Sequence, residues 1–380
     1  MVDKARLIKL TQKVLSIDSQ NPPGNEVAIA DFVARDMRSL GLDVKVLTYQ
    51  RNRPNVIATL KGSLPRKKAA EEALLLTPHT DVVPVGKGGK FDPFGKDIVG
   101  KRIYGRGTSD DKGNLACAME ALRSLVEEGF RPRKDIVMAA TSDEECGSKA
   151  GIKPLLEKKV LRPRLALVLD SVEFDTVIAQ KGLLHLRIQI LGKKAHGATN
   201  WKGINAIEQA AQIIRRLKKH EFRFKKHEFL NHPTLNIGTI SGGDKVNIVA
   251  DHCEFTVDVR FMPGMDAQKL IAEIKRIVSS VTDRYEVRID DLQLPYEIKA
   301  KDPYVKAFLR AAEACGASAR LKGSDGATVI SFFQHQGIPA FATGFGKSGT
   351  LHTNDEYAEI PTLVKGAKVL EQFVRDYDAI

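Results

Sequence analysis

The sequence predicts an α/β fold: a mostly parallel sheet with helices on both faces, interrupted by an inserted α+β domain. Three observations predict it. First, the short apolar runs "NVIATL" (55–60), "ALLLT" (73–77), "DIVMAAT" (135–141) and "LALVL" (165–169) lack polar alternation and read as strands buried on both faces. Second, between the second and third runs lies "NLACAMEALRSLVEEG", which sets Leu115, Met119, Leu122 and Val126 on one helical stripe closed by Gly129. Strand, helix and strand in that order imply parallel pairing. Third, the pattern changes near residue 181, where "LLHLRIQIL" (183–191), "TLNIGTI" (234–240) and "CEFTVDVRF" (253–261) alternate apolar and polar positions like one-sided antiparallel strands.

The remaining elements fit this division. Helices are expected at 3–17 and 25–40, split by the turn "NPPG" and stopped by Gly41. Helices at 203–219 and 266–281 accompany the alternating strands. The first pattern returns after "DDLQLPYEIKAKDP", with a helix at 303–314, the run "PAFAT" at 339–343 and a closing helix at 361–377. Residues 1–180 and 292–380 therefore form one discontinuous domain, and 181–291 the inserted one.

Composition excludes several classes. With 43% hydrophobic and 28% charged residues the chain sits near globular averages, and no apolar run approaches a membrane span. The amino-terminal segment spaces Leu7, Leu10, Val14 and Ile17 as an amphipathic helix and not as a cleavable signal, so a cytoplasmic protein is expected. The four cysteines are far apart and form no Cys-x-x-Cys pair, which argues against a disulfide framework and against thiolate metal sites. A net charge of +12 raises nucleic acid as a partner, but the basic stretches mix both signs or look like one solvated helix face. Neither nucleic acid nor membrane is expected to bind.

The polar residues at the ends of the apolar runs carry the chemistry. His79 and Asp81 follow one run, Glu144 and Glu145 another, and Asp170 a third. In an open parallel sheet those ends gather along one edge, where such folds place their sites. Asp110 and Asp111 open the helix that follows, and His352 lies in a Gly-rich loop after the last run. Each alone reads as a cap, a turn or a loop residue. Together they crowd acids that repel one another unless cations neutralise them. Imidazole nitrogen and carboxylate oxygen without thiolate suit Zn²⁺ first and Co²⁺ or Mn²⁺ as alternatives. Asp81, two residues after His79, can reach and orient the imidazole.

The motifs "PHTDVVP", "FDPFGKDIVGKRIYGRGTSDDKG", "TSDEECGS", "LVLD", "KKAHGA", "GTISGGDKVNIVAD" and "GFGKSGTLHTNDEYAEI" span nearly the whole chain. In that order they resemble the two-metal aminoacylase, carboxypeptidase and desuccinylase family of metallopeptidases. The resemblance implies two divalent metals per chain, one on His79, Asp110 and Asp170 and the other on His352, Asp110 and Glu145, with Asp110 bridging. Glu144 matches the family's general base, and Asp81 the partner of the histidine ligand. Members carry Glu or Asp at the position of Asp170, and Asp disfavours a strict desuccinylase. The inserted domain resembles the family's lid, through which members dimerise. His196 matches a lid histidine that stabilises the tetrahedral intermediate, while Asn247 and Arg260 match positions that bind the substrate's carboxylate. Ser324, Asp325 and Lys347 lie near such motifs without an assigned contact.

The expected activity is hydrolysis of an amide bond of a small anionic N-acyl amino acid or peptide. A deacylase of N-acyl amino acids stands beside a carboxypeptidase or dipeptidase. A non-catalytic binding protein on the same scaffold is the reading from a different class.

Overall fold

The computed structural model describes all residues from Met1 to Ile380 and divides the chain into two compact units. The first comprises Met1–Ile178, Ile298–Lys322 and Thr328–Ile380; the second comprises Ala179–Glu297 and Gly323–Ala327.

The first unit is built on a mixed sheet whose strands run in the order Asp43–Thr48, Pro54–Leu60, Ile136–Ala140, Leu74–Thr77, Leu165–Leu169, Ala340–Thr343 and Asp175–Gln180. The four strands from Ile136–Ala140 to Ala340–Thr343 are mutually parallel and wholly buried. Their apolar runs need no polar face because helices cover both sides of the sheet. Pro54–Leu60 is the buried strand expected, but it runs the other way. It pairs antiparallel with Ile136–Ala140 and with Asp43–Thr48, so burial alone did not reveal its direction.

Helix Lys4–Leu15 starts where the Asp3 carboxylate accepts the Arg6 N–H at 2.8 Å, and it buries Leu7, Leu10, Val14 and Leu15. Helix Lys112–Glu127 is buried on nearly every side and not along one stripe. Helices Lys4–Leu15 and Ile360–Ala379 both pack on it, and it buries the small residues Ala116, Ala118 and Ala121. No helix is long and apolar enough to cross a membrane.

Parallel pairing aligns the carboxyl ends of the four inner strands. His79 follows Leu74–Thr77 and bridges to Thr141 just beyond Ile136–Ala140. Asp170 ends Leu165–Leu169, and the loop carrying His352 follows Ala340–Thr343. A separate three-stranded sheet, Tyr357–Glu359 with Arg102–Tyr104 and Ile98–Val99, brings Glu356 to the loop that leads into Asp110.

The second unit is a four-stranded antiparallel sheet in the order Thr234–Gly242, His252–Phe261, Gly182–Leu191 and Tyr285–Gln293. Alternate residues, Leu184, Leu186, Ile188 and Ile190 on one strand and Phe255, Val257 and Val259 on the next, point into one core. Helices Ala206–Lys219 and Ala267–Ser279 close that core with Ile213, Leu217, Leu270, Ile274 and Val278.

Candidate metal centre

The loop bearing Asp110 is shaped by a residue far away in sequence. The buried Glu356 carboxylate accepts the N–H groups of Gly107 (3.1 Å), Ser109 (2.8 Å) and Asp110 (3.1 Å), and Arg106 Nη1 donates to it at 2.6 Å. Burial raises the proton affinity of Glu356, and the backbone donors and Arg106 work against that rise. Asp111, which heads helix Lys112–Glu127, makes no side-chain cap. Its carboxylate instead accepts the His79 N–H at 2.8 Å and the Asn114 amide at 2.6 Å, while Asn114 Oδ1 accepts the Phe345 N–H at 2.8 Å. One buried Asp–Asn pair thus links three of the loops that converge on the site. Replacing Glu356 with Ala would strip these donors of their acceptor and strand a buried guanidinium. We expect a loss of about 3–5 kcal/mol in urea-induced unfolding; a loss under about 1 kcal/mol would refute this assignment.

On this frame two imidazoles face one carboxylate. His79 Nε2 lies 2.9 Å from Asp110 Oδ1, and His352 Nε2 lies 3.1 Å from Asp110 Oδ2. Glu145 Oε1 is 3.7 Å from His352 Nε2 and is buried without a hydrogen-bond partner. His79, Asp110 and Glu145 present ligand atoms that all lie within 4.8 Å of one another. Such a set of nitrogen and oxygen donors, with one orphaned carboxylate oxygen among them, fits divalent cations.

The electrostatics agree. Burial raises the proton affinity of Asp170 to a pKa of about 7, with Asp110 and Glu145 adding repulsion. Burial likewise pushes Glu144 well above the carboxylate range, aided by Asp170. Burial would depress the His79 imidazolium, yet the hydrogen bonds to Asp110 and Asp81 outweigh it and raise its pKa well above the ordinary value. The Asp110 and Glu145 carboxylates beside His352 raise its pKa to about 10. Protons here do what metal ions do in a loaded site: they neutralise crowded carboxylates.

Asp81 meets the His79 ring first through its backbone. His79 Nδ1 lies 3.0 Å from the Asp81 backbone carbonyl and 3.5 Å from its carboxylate. The carboxylate chiefly accepts the N–H groups of Glu144 and Glu145, each at 3.1 Å, and the Asn21 amide at 2.8 Å. The segment leaves the strand at Thr77, so strand periodicity no longer governs where Asp81 points.

Residues 75–376 match the profile of peptidase family M20/M25/M40. The chain belongs to this family. As a family member it is a metal-dependent hydrolase of amide bonds, which bears out the resemblance read from the motifs. The acetylornithine deacetylase of Photorhabdus laumondii is 28% identical to it, over 98% of this chain and 96% of that protein. The structure of aminopeptidase PepT from Bacillus cereus superposes with a TM-score of 0.83 at 24% identity, covering all of both chains. The Bacillus subtilis YxeP protein, a dinuclear metal-binding M20 peptidase, superposes with a TM-score of 0.75 at 17% identity, over 98% of this chain and 97% of its own.

The other predicted site residues lie in the second unit. His196 is exposed, and its Nδ1 accepts the Ala198 N–H at 3.1 Å. The backbone carbonyl of the exposed Asn247 accepts the Gly197 N–H at 2.8 Å, so these two residues share one loop cluster. Arg260 Nε donates to Asp258 at 2.9 Å. Asp325 is held by Lys181 and Asn231, and Lys347 in the first unit pairs with Glu173. Asn21 and Glu356 are absent from the predicted site residues, and Asp111 is expected only at the head of its helix. Asn21 stood in plain view within "NPPG", whereas Glu356 binds partners 246 to 250 positions away and carries no local signal.

Proposed function

We propose that the chain removes the acyl group from a small anionic N-acyl amino acid, using two divalent metals, Zn²⁺ first and Co²⁺ or Mn²⁺ as alternatives. The observation that carries this reading is Asp110 facing an imidazole with each oxygen, beside the orphaned oxygen of Glu145. His79, Asp110 and Asp170 would hold one cation, and His352, Asp110 and Glu145 the other. The cations would supply Lewis acidity, polarising the amide carbonyl and lowering the pKa of water.

The residues of the chain do the rest. Glu144 accepts the proton of the attacking water and returns it to the leaving amine. Asp81 holds Glu144 and Glu145 by their backbone N–H groups. His196, whose Nδ1 is engaged as an acceptor, offers Nε2–H to the developing oxyanion. Asn247 and Arg260 bind the substrate carboxylate; the Arg260 guanidinium, turned by Asp258 through Nε, supplies a positive charge, and the net charge of +12 favours an anion. A deacylase is preferred to a peptidase because the full-length deacetylase relative is 28% identical, against 24% for the aminopeptidase PepT.

Trp201, Ile240, Val246 and Ile248 leave apolar surface exposed in the second unit, which supports a homodimer formed through it. Four unpaired cysteines suit a cytoplasmic setting. The test is a screen of N-acetyl amino acids, N-succinyl amino acids and dipeptides with Zn²⁺ or Co²⁺, and sedimentation of the same sample. Turnover of N-acyl amino acids at least about tenfold above dipeptides is expected, with a mass twice 41.9 kDa. The reverse preference would transfer the reading to a dipeptidase or carboxypeptidase, and a monomer would remove the dimer.

A further inference from the structure

The turn that carries Glu144 and Glu145 is gripped from behind. Three consecutive N–H groups on it end on buried carboxylates: Asp143 N donates to Glu26 at 3.3 Å, and Glu144 N and Glu145 N donate to Asp81 at 3.1 Å each. The side chain of Asp143 joins them, accepting the Ala150 N–H at 2.8 Å and lying 3.4 Å from the Asn21 amide that also donates to Asp81. Glu26, Asp81 and Asp143 thus converge on one turn, and none is more than 5% exposed. Such a group of carboxylates stays ionised only beside a counter-charge.

Arg53 supplies that charge to Glu26 and Asp143, while His79 stands 3.5 Å from the Asp81 carboxylate on the other side. Arg53 is 4% exposed. Its Nε lies 2.8–2.9 Å from the Glu26 carboxylate, and its Nη2 lies 3.0 Å from Asp143 Oδ1. The forked guanidinium spans two carboxylates in a way a lysine ammonium does not reproduce. The "NPPG" turn closes over it. Gly24 has φ +79°, and a Cβ there would lie 2.3 Å from Nη1, so the bare backbone of Gly24 rests on the guanidinium. Asn21 of the same turn reaches the carboxylates, so this turn and Arg53 act as one brace.

We propose that Arg53 is a positioning residue for hydrolysis: through Asp143 and Glu26 it sets the turn that aims Glu144 at its proton and Glu145 at its cation. This rests on the reading of Glu144 as base and Glu145 as ligand. Arg53 reaches the reaction only through other residues, so its loss should leave substrate affinity intact. A displacement of the turn by about 1 Å is enough to cost about 10²-fold in rate.

The test is Arg53→Lys in the full chain, assayed with the fastest substrate of the screen. We expect kcat to fall by about 10–100-fold, with KM within about twofold, two metals per chain and a cooperative thermal transition. Glu144→Asp, which retracts the carboxylate, is then combined with it. A residue that positions Glu144 gives a non-additive cycle, with coupling of at least about threefold in kcat, whereas a merely stabilising residue gives an additive one. Should Arg53→Lys not fold, Gly24→Ala presses on the same guanidinium and must lower kcat at unchanged KM. Unchanged kcat, or an additive cycle measured at two metals per chain, would overturn the proposal. If Glu144→Gln keeps full turnover, the base assignment fails instead; an inactive Glu144→Gln beside a fully active Arg53→Lys removes only the brace.

Discussion

Glu144→Gln is expected to lower kcat by about 10²–10⁴-fold while the protein keeps two metals per chain. The substitution conserves volume and removes only the ability to take a proton. Glu144 is suited to that task by where it stands. In the metal-free protein burial and Asp170 keep it protonated well above the usual carboxylate range. Cations beside Asp110, Glu145 and Asp170 would cancel the repulsion and return Glu144 to an ionised base near neutral pH. The acidic limb of the kcat/KM profile should therefore report Glu144 and disappear in the variant. Metal analysis separates this from ligand loss, because Glu144 N–H, and not its side chain, is what Asp81 holds. Turnover within about threefold of wild type would remove Glu144 as the base.

How much of this was legible in the sequence depends on the range of the signal. The inner strands announced themselves as uninterrupted apolar runs, and parallel pairing then fixed which ends share an edge. That is enough to place His79, Glu144, Glu145 and Asp170 on one edge. Tyr285–Gln293 gave no such signal, because "YEVRIDDLQ" carries charges on an exposed strand at the sheet's edge. The supports of the site were hidden for another reason. Glu356, Arg53 and Asn21 act on partners 27 to 250 residues away, and nothing in their neighbours tells a buried carboxylate from a solvated one. Asp111 shows the converse. Its position suggested a helix cap, but the polypeptide used it to hold His79. Local preference yields where a buried N–H has no other acceptor.

Stripping the metals with a chelator should abolish turnover and make the fold pH-sensitive in one direction. In the metal-free protein Asp170 has a pKa of about 7 against 3.8 for the free side chain, because it is buried beside Asp110. Between those values the folded protein retains a proton that the unfolded chain has released. Stability therefore falls as pH rises through that window and levels off above it. Glu144, raised by the same causes, adds to the fall. His352 acts in the same sense at higher pH, since Asp110 and Glu145 raise its pKa to about 10 and its contribution is lost as pH climbs from 6.5. Asp110 opposes them only in acid, for its pKa is lowered by His352 and His79 despite burial. Bound cations replace these protons, so the loaded protein lacks the penalty. Chelation should thus cost little near pH 5 and on the order of 2 kcal/mol more near pH 8, read from urea unfolding with and without chelator. A chelated protein whose stability is flat or rises from pH 5 to pH 8 would show that no excess of buried protons is exchanged for metal at Asp170 and His352.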